Sequence, residues 1–183
     1  MDTIAYCVNE NTSRSNVLHE FSTIIGFTQV SDYIGLAQVE KQSFQTPIMF
    51  FIFEQVSDIR RFKNIVSQIR ACKRHNIRFS PLIYLCNIPS PQTIKNGIAM
   101  GFDDVIAKPF NFKKIKTRLD MQVDKIIPYY ETSDYFGPDR RKFDQENSTV
   151  NPNKRKNMQY LQYKFIRNLN DGIIIKDKKM MVS

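Results

Sequence analysis

Six consecutive apolar residues, Ile48-Met49-Phe50-Phe51-Ile52-Phe53, follow Pro47. A strand with one face in water alternates polar and apolar side chains, whereas this run is apolar on both alternating faces. It needs cover on each side, which is the condition of a central parallel strand between two layers of helices. It is far too short to span a bilayer. The segment that follows supplies one of those helices. Ser57 or Asp58 caps it, and Ile59, Phe62, Ile65, Val66, Ile69 and Cys72 recur at helical spacing.

The same alternation runs through the first two-thirds of the chain. Residues 3–8 read as a buried strand. Thr12 or Ser13 caps a helix whose apolar face is Val17, Leu18, Phe21, Ile24 and Ile25, and Gly26 ends it. Residues 27–30 read as a second strand, and residues 32–42 as a weak helix that contains Gly35. Pro81 precedes a fourth strand, 82–86. Ser90-Pro91 is a cap with proline at the first helical position, ahead of Ile94, Ile98 and Ala99 on the buried side. Residues 104–107 form the fifth strand. Asn111 caps the last helix, with Phe112, Ile115, Leu119 and Val123 inward. Strand and helix alternating in this way predict a doubly wound α/β domain, a five-stranded parallel sheet with right-handed crossovers, over residues 1–127. Ligands of such sheets bind beyond the carboxyl ends of the strands.

After Ile127 the character changes. Residues 128–131 lead away from the last helix, and Tyr135-Phe136-Gly137-Pro138-Asp139-Arg140-Arg141 carries a turn signal beside two arginines. Residues 144–157 are polar. Residues 160–166 and 173–175, joined through Asn170-Asp171-Gly172, read as a β-hairpin. A lone hairpin is not stable in water. The extension 128–183 must therefore pack on the main domain, on a second copy of the chain, or on a partner.

The formal charge of the 183 residues is +9, with 16 basic and 11 acidic side chains up to residue 127 and 11 and 7 beyond it. Charge spread over both parts permits contact with nucleic acid, anionic lipid or an acidic protein and selects none of them. The start, Met1-Asp2-Thr3-Ile4, lacks a basic region followed by a long apolar stretch, so no signal peptide is expected. Cys7, Cys72 and Cys86 have no metal-like spacing, and Cys7 and Cys86 sit in apolar runs as small buried hydrophobes. A reducing cytoplasmic location without membrane contact is the resulting expectation.

One stretch is more specific than pattern: Gly101-Phe102-Asp103-Asp104-Val105-Ile106-Ala107-Lys108-Pro109-Phe110, a helix end, a short strand, and a lysine ahead of a proline. With the five alternating units, it resembles the receiver domain of bacterial response regulators over residues 3–125. The resemblance implies a flavodoxin-like (βα)5 fold and a place in two-component, phosphorelay signalling. In that family, two acidic residues after the first strand hold Mg²⁺ and an aspartate ending the third strand takes the phosphoryl group. A hydroxyl residue ends the fourth strand, an aromatic in the fifth reports the change, and the lysine pairs with phosphoryl oxygens.

Carried onto this sequence, the acidic pair falls on Asn9 and Glu10, the acceptor on Phe53, the hydroxyl on Cys86, the aromatic on Val105 and the lysine on Lys108. One carboxylate where two are needed weakens Mg²⁺ binding, and a phenyl ring is no nucleophile. Glu54 follows Phe53, and strand alternation turns it the other way. The resemblance then implies a pseudo-receiver without cofactor or metal, which acts through an unidentified signalling protein, with homodimer formation also open. Lys108 either has a functional role, receiving a phosphate or pairing with Glu10 or Glu54 in a metal-free site, or caps strand-end carbonyls; the capping reading is preferred, because a lone lysine does not make a site. Three alternatives stay open: a receiver phosphorylated in altered geometry through Glu54 or another acid, a nucleic-acid-binding module using the basic third helix and tail, and a small-molecule sensor at the strand ends.

The remaining candidates carry less. Receivers commonly associate through their last helices, which puts Phe112, Ile115 and Leu119, with Lys113, Lys114 and Lys116, on an interaction surface. Residues 58–78 carry Arg60, Arg61, Lys63, Arg70, Lys73, Arg74 and Arg78, opposed there only by Asp58. They form either a phosphate-contacting face, which makes nucleic acid an alternative partner, or the solvated side of an amphipathic helix, which is preferred. Arg140 and Arg141 resemble the arginine pairs of bacterial cyclic-dinucleotide-binding domains, but the small-residue half of that motif is absent. A turn that docks the tail through Tyr135 and Phe136 is preferred. Tyr129-Tyr130 reads as packing before binding. His19 and His75 stand apart from any catalytic or metal-binding set, and no glycine-rich phosphate loop follows the first strand. The expectation is a protein that is not an enzyme.

Overall fold

The computed structural model describes residues 3–9, 16–87, 89–107, 111–139 and 159–182. Its first part is β1 (Ile4–Val8), α1 (Asn16–Ile25), β2 (Gln29–Asp32), α2 (Leu36–Gln42) and β3 (Met49–Phe53). A 3-10 turn (Ile59–Phe62) leads into α3 (Lys63–Ala71) and the single turn α4 (His75–Arg78). Then come β4 (Leu82–Cys86), α5 (Pro91–Met100), β5 (Asp104–Ala107) and α6 (Phe112–Asp120). The five strands are parallel in the order β2-β1-β3-β4-β5. This is the flavodoxin-like, doubly wound arrangement that the alternation predicts. The register brings Val8 beside Phe53 and Cys86 beside Ala107, and with Phe53 beside Tyr84 the ends of β4 and β5 reach two residues beyond those of β1 and β3.

Both faces of the sheet are covered, as the apolar run requires. Met49, Phe51 and Phe53 lie in one core with Val66 and Ile69 of α3. Phe50 and Ile52 lie in the other, with Ile25, Ile115 and Leu119. Ser90 Oγ accepts from Thr93 N (3.0 Å), and Asn111 Oδ1 accepts from Lys113 N (2.9 Å), as expected of the two caps. Thr12 and Ser13 lie outside the described residues. Three apolar-face assignments need correction. Ile24 is 62% exposed, because Ile25, a hundred degrees further round α1, takes the core position. Ala99 is exposed and Gly97 is the buried residue of α5; a Cβ on Gly97 would lie 3.1 Å from Val105 Cγ2, so the glycine lets α5 close on β5. Phe112 is 48% exposed. Helical side chains lean toward the N-terminus, which carries this first-turn ring off the end of the packed layer.

The extension holds more structure than a hairpin. β6 (Ile126–Glu131), β7 (Phe136–Pro138), β8 (Gln159–Asn168) and β9 (Gly172–Val182) form an antiparallel sheet in the order β7-β6-β8-β9. The hairpin is longer than its apolar runs indicate, and residues 128–131 are an inner strand. Pro128, which cannot donate, is tolerated because the short β7 pairs only from Tyr129 onward. One face of this sheet packs on the parallel domain. Phe79 lies among Tyr129, Phe136, Tyr163 and Phe165, with ring centroids 6.0, 5.0, 5.5 and 4.7 Å away.

A buried polar cluster sits on this seam. Asp103, just before β5, accepts from Arg167 Nη2 (2.7 Å) and the Tyr129 hydroxyl (2.5 Å) on Oδ1, and from Arg70 Nη2 and Leu82 N (both 2.8 Å) on Oδ2. Arg167, fully buried on β8, also donates to Phe79 O (2.7 Å) and Gln122 Oε1 (2.9 Å). Arg70 donates to Gly101 O, Arg78 O and Ser80 O. Burial disfavours the Asp103 charge, but Arg167 and Arg70, with the Tyr129 hydroxyl and the Leu82 amide, outweigh it and hold the carboxyl below its usual range. Backbone also meets backbone here. Gly101 closes α5 at φ 100°, and a Cβ on it would lie 2.9 Å from Phe136 O; one on Gly137 would lie 2.9 Å from Gly101 Cα.

Candidate functional site at the strand ends

Phe53 ends β3, fully buried, its ring edge-on to Phe62 (5.0 Å) and Phe102 (4.8 Å). Strand alternation leaves it no choice, since Met49 and Phe51 already face the same core. Tyr84 of β4 extends that aromatic cluster, and its hydroxyl accepts from Val56 N (3.3 Å). At the end of β3, the position to which the resemblance carries an acceptor carboxylate, this chain has closed hydrocarbon packing.

The carboxylates lie on the other side of the sheet. Glu54 N donates to Val8 O (3.0 Å), and the Asn9 amide nitrogen, oriented so that its donors meet acceptors, lies 3.1 Å from Glu54 Oε2. Asp32, at the end of β2, has Oδ1 2.8 Å from His19 Nε2, so His19 is not isolated but ties α1 to β2. Burial pushes the Cys7 thiol up to about 12; the contact with Ser22 opposes this, and the charges of Asp32 and Glu54 add to it. Cys7 faces the core opposite to Phe53.

Cys86 is buried and its thiol approaches Ile106 O (3.8 Å); burial raises its pKa. A thiol committed to a carbonyl in the core is a packing group. Val105 is partly buried against the core and has no ring to rotate. Glu10, Lys108, Arg140 and Arg141 lie outside the described residues. Among the described residues, no three His, Cys, Asp or Glu side chains are grouped to hold a metal ion, and no helix is long and apolar enough to cross a membrane.

The proposed interaction surface changes too. Ile115 and Leu119 are buried beneath α6, at i and i+4 on its core face, and cannot meet a partner. Phe112 remains, next to exposed Lys113, Lys114 and Lys116. The basic stretch 58–78 is also partly committed. Arg60 pairs with Asp58 (2.6 Å), Arg70 is buried on Asp103, and Arg78 pairs with Glu131 (2.5 Å) while its guanidinium lies over Phe136. Neither sequence reading of that stretch, phosphate face or solvated face, holds for Arg70. Tyr129, Tyr135 and Phe136 are buried, as the packing readings expect.

No family model matches the chain, and no curated protein matches it. Solved structures do. A protein assigned as a response regulator from Chloroflexus aurantiacus superposes with a TM-score of 0.51 at 14% identity, over 66% of this chain and 97% of that one. The receiver domain of the sensor histidine kinase PA1611 from Pseudomonas aeruginosa, a structure with magnesium coordinated in its active-site cleft, gives 0.50 at 18%, over 66% and 97%. At these identities the likeness shows the fold: the parallel domain has the architecture of receiver domains.

Proposed function

We propose that the chain is a receiver-type module of two-component signalling that acts by protein contact and carries out no phosphoryl transfer. The observation that carries this reading is Phe53. Its ring is fully buried between Phe62 and Phe102 at the end of β3. No carboxylate can reach that point without breaking the core. Glu54, the nearest acid in sequence, has the reoriented Asn9 amide 3.1 Å from its Oε2. The module is then a cytoplasmic pseudo-receiver of bacterial type, without Mg²⁺ chemistry or enzymatic activity. Its partner is another signalling protein, met at the exposed Phe112 and its lysine neighbours.

Incubation with acetyl phosphate and Mg²⁺, followed by intact-mass measurement, tests the silent site. The expected spectrum shows unmodified protein only. A phosphate adduct that maps to Glu54 would establish the altered-geometry receiver instead. Exchange of Phe112 for aspartate tests the surface separately: co-purification of the signalling partner should fall while the thermal midpoint stays within about 2 °C, because exposed substitutions rarely move stability by more than about 0.5 kcal/mol.

A further inference from the structure

The second sheet ends in a long edge. β9 runs for 11 residues, Gly172–Val182, and β8 is its one strand neighbour among the described residues. A strand in an antiparallel ladder turns the N–H and C=O of every second residue toward its neighbour, so the groups of the alternate residues point away from the sheet. The start of β9 rests against the body of the protein. Gly172 meets Pro47 O, where a Cβ would lie 3.1 Å away, and Ile173 and Ile175 pack on the core between the sheets. Lys176 is a bulge, since Lys164 faces Asp177 while Phe165 faces Ile175. From Asp177 to Val182 the pairing with β8 is regular again, residue for residue to Gln159.

This regular stretch is about 20 Å long at the usual rise of a strand. It offers apolar surface beside its outward backbone groups. Met180 and Val182, two residues apart and so on one face, are 60% and 65% exposed. Natural proteins blunt open edges with bulges and lysines, because such edges template pairing with another chain. Here the bulge lies before the stretch, and lysines deter a like-charged strand but not an acidic one.

Charge selects the occupant. Lys176, Lys178 and Lys179 are exposed, and Asp177, the one acid of β9, has its carboxylate 3.0 Å from Lys179 Nζ. A second copy laid antiparallel would set lysine against lysine, and like charges directly opposite one another repel. The phosphates of a nucleic acid or a lipid would answer the lysines, but they lack the alternating donors and acceptors that match a strand edge. An extended acidic polypeptide answers both. We propose that residues 177–182 dock an extended acidic segment of a partner protein, which joins the four-stranded sheet as a fifth strand. This surface is separate from Phe112 and from the strand-end site, so it stands or falls independently of the signalling reading.

The test titrates the ¹⁵N-labelled full chain with a capped hexapeptide that alternates glutamate and valine, to about 5 mM, enough to reveal millimolar affinity. A hexapeptide that alternates lysine and valine is the control. The acidic peptide should shift the backbone amides of 177–182 and slow hydrogen exchange at alternate residues among them; the lysine peptide should do neither. Lys176→Glu combined with Lys179→Glu, both at exposed positions, should weaken binding of the acidic peptide about tenfold. Absence of shifts, equal binding of the lysine peptide, shifts without exchange protection, or undiminished binding by the double variant would overturn the proposal. So would protection of the same amides that grows with protein concentration alone, which would make a second copy the occupant.

Discussion

Exchange of Asp103 for alanine is expected to destabilise the protein by about 3–5 kcal/mol, the cost of leaving a buried charge without its partner. Two arginines lean on this carboxylate, Arg70 at 4% and Arg167 at 0% side-chain exposure. Arg70 keeps its backbone carbonyls, but Arg167 is left with Phe79 O, Gln122 and the Tyr129 hydroxyl. Urea titration should show a midpoint lowered by well over a molar, since m for a chain of this size is about 2 kcal/mol per molar. A midpoint within error of the parent would show that the cluster contributes nothing to cohesion. Combining Asp103→Ala with Arg167→Met, which removes the orphaned charge, should recover part of the loss.

The same carboxyl sets an acid limit. Its pKa in the folded chain is held below the unfolded value of about 3.9, so the folded state binds its proton less readily. Its stabilisation is therefore complete above about pH 4 and is lost as pH falls toward the depressed folded value. Stability of the parent should decline across that acid window, and the decline should be shallower in Asp103→Asn. An identical pH profile for the two proteins would exclude Asp103 as the source.

Exchange of Gly101 for alanine is the second large effect, roughly 2–4 kcal/mol. Two costs arise together. At φ 100° a Cβ meets its own backbone, and at 2.9 Å it also meets the carbonyl of Phe136, which as part of a strand cannot move aside alone. Differential scanning calorimetry should show the whole transition moving down by at least about 5 °C. Movement of a minor, early transition alone would mean that the two sheets melt separately and that the glycine contact does not bind them.

The parallel domain was legible because its strands carry their own instruction. A run apolar on both faces, such as 48–53, has one common solution, and caps such as Ser90 and Asn111 lie beside the residues they serve. The second sheet was less legible, because its strands are defined by contacts far away in sequence. Pro128 reads locally as an exit, yet it sits in an inner strand because of what β7 leaves unpaired. One local signal pointed to the seam. Leu161, Tyr163, Phe165 and Arg167 alternate on one face of β8, and an arginine in that series must meet a buried acid. Which acid it meets, Asp103, could not be read from spacing. At the strand ends, the apolar packing at the end of β3 was visible in the identity of Phe53. The opposite side taken by Glu54 followed from alternation, while its engagement by Asn9 and the pairing of His19 with Asp32 depended on tertiary register.

Phe79 marks how inseparable the two parts are. Its ring belongs to the parallel domain by sequence, where it meets only the His75 ring, and to the extension by its other four aromatic contacts. A gene truncated after the last helix would place that ring, and the Asp103 carboxylate at the start of the neighbouring strand, against bulk water. The shortened product should self-associate or be degraded rather than behave as a miniature of the parent. Dissection of this protein is better done by point substitution than by cutting.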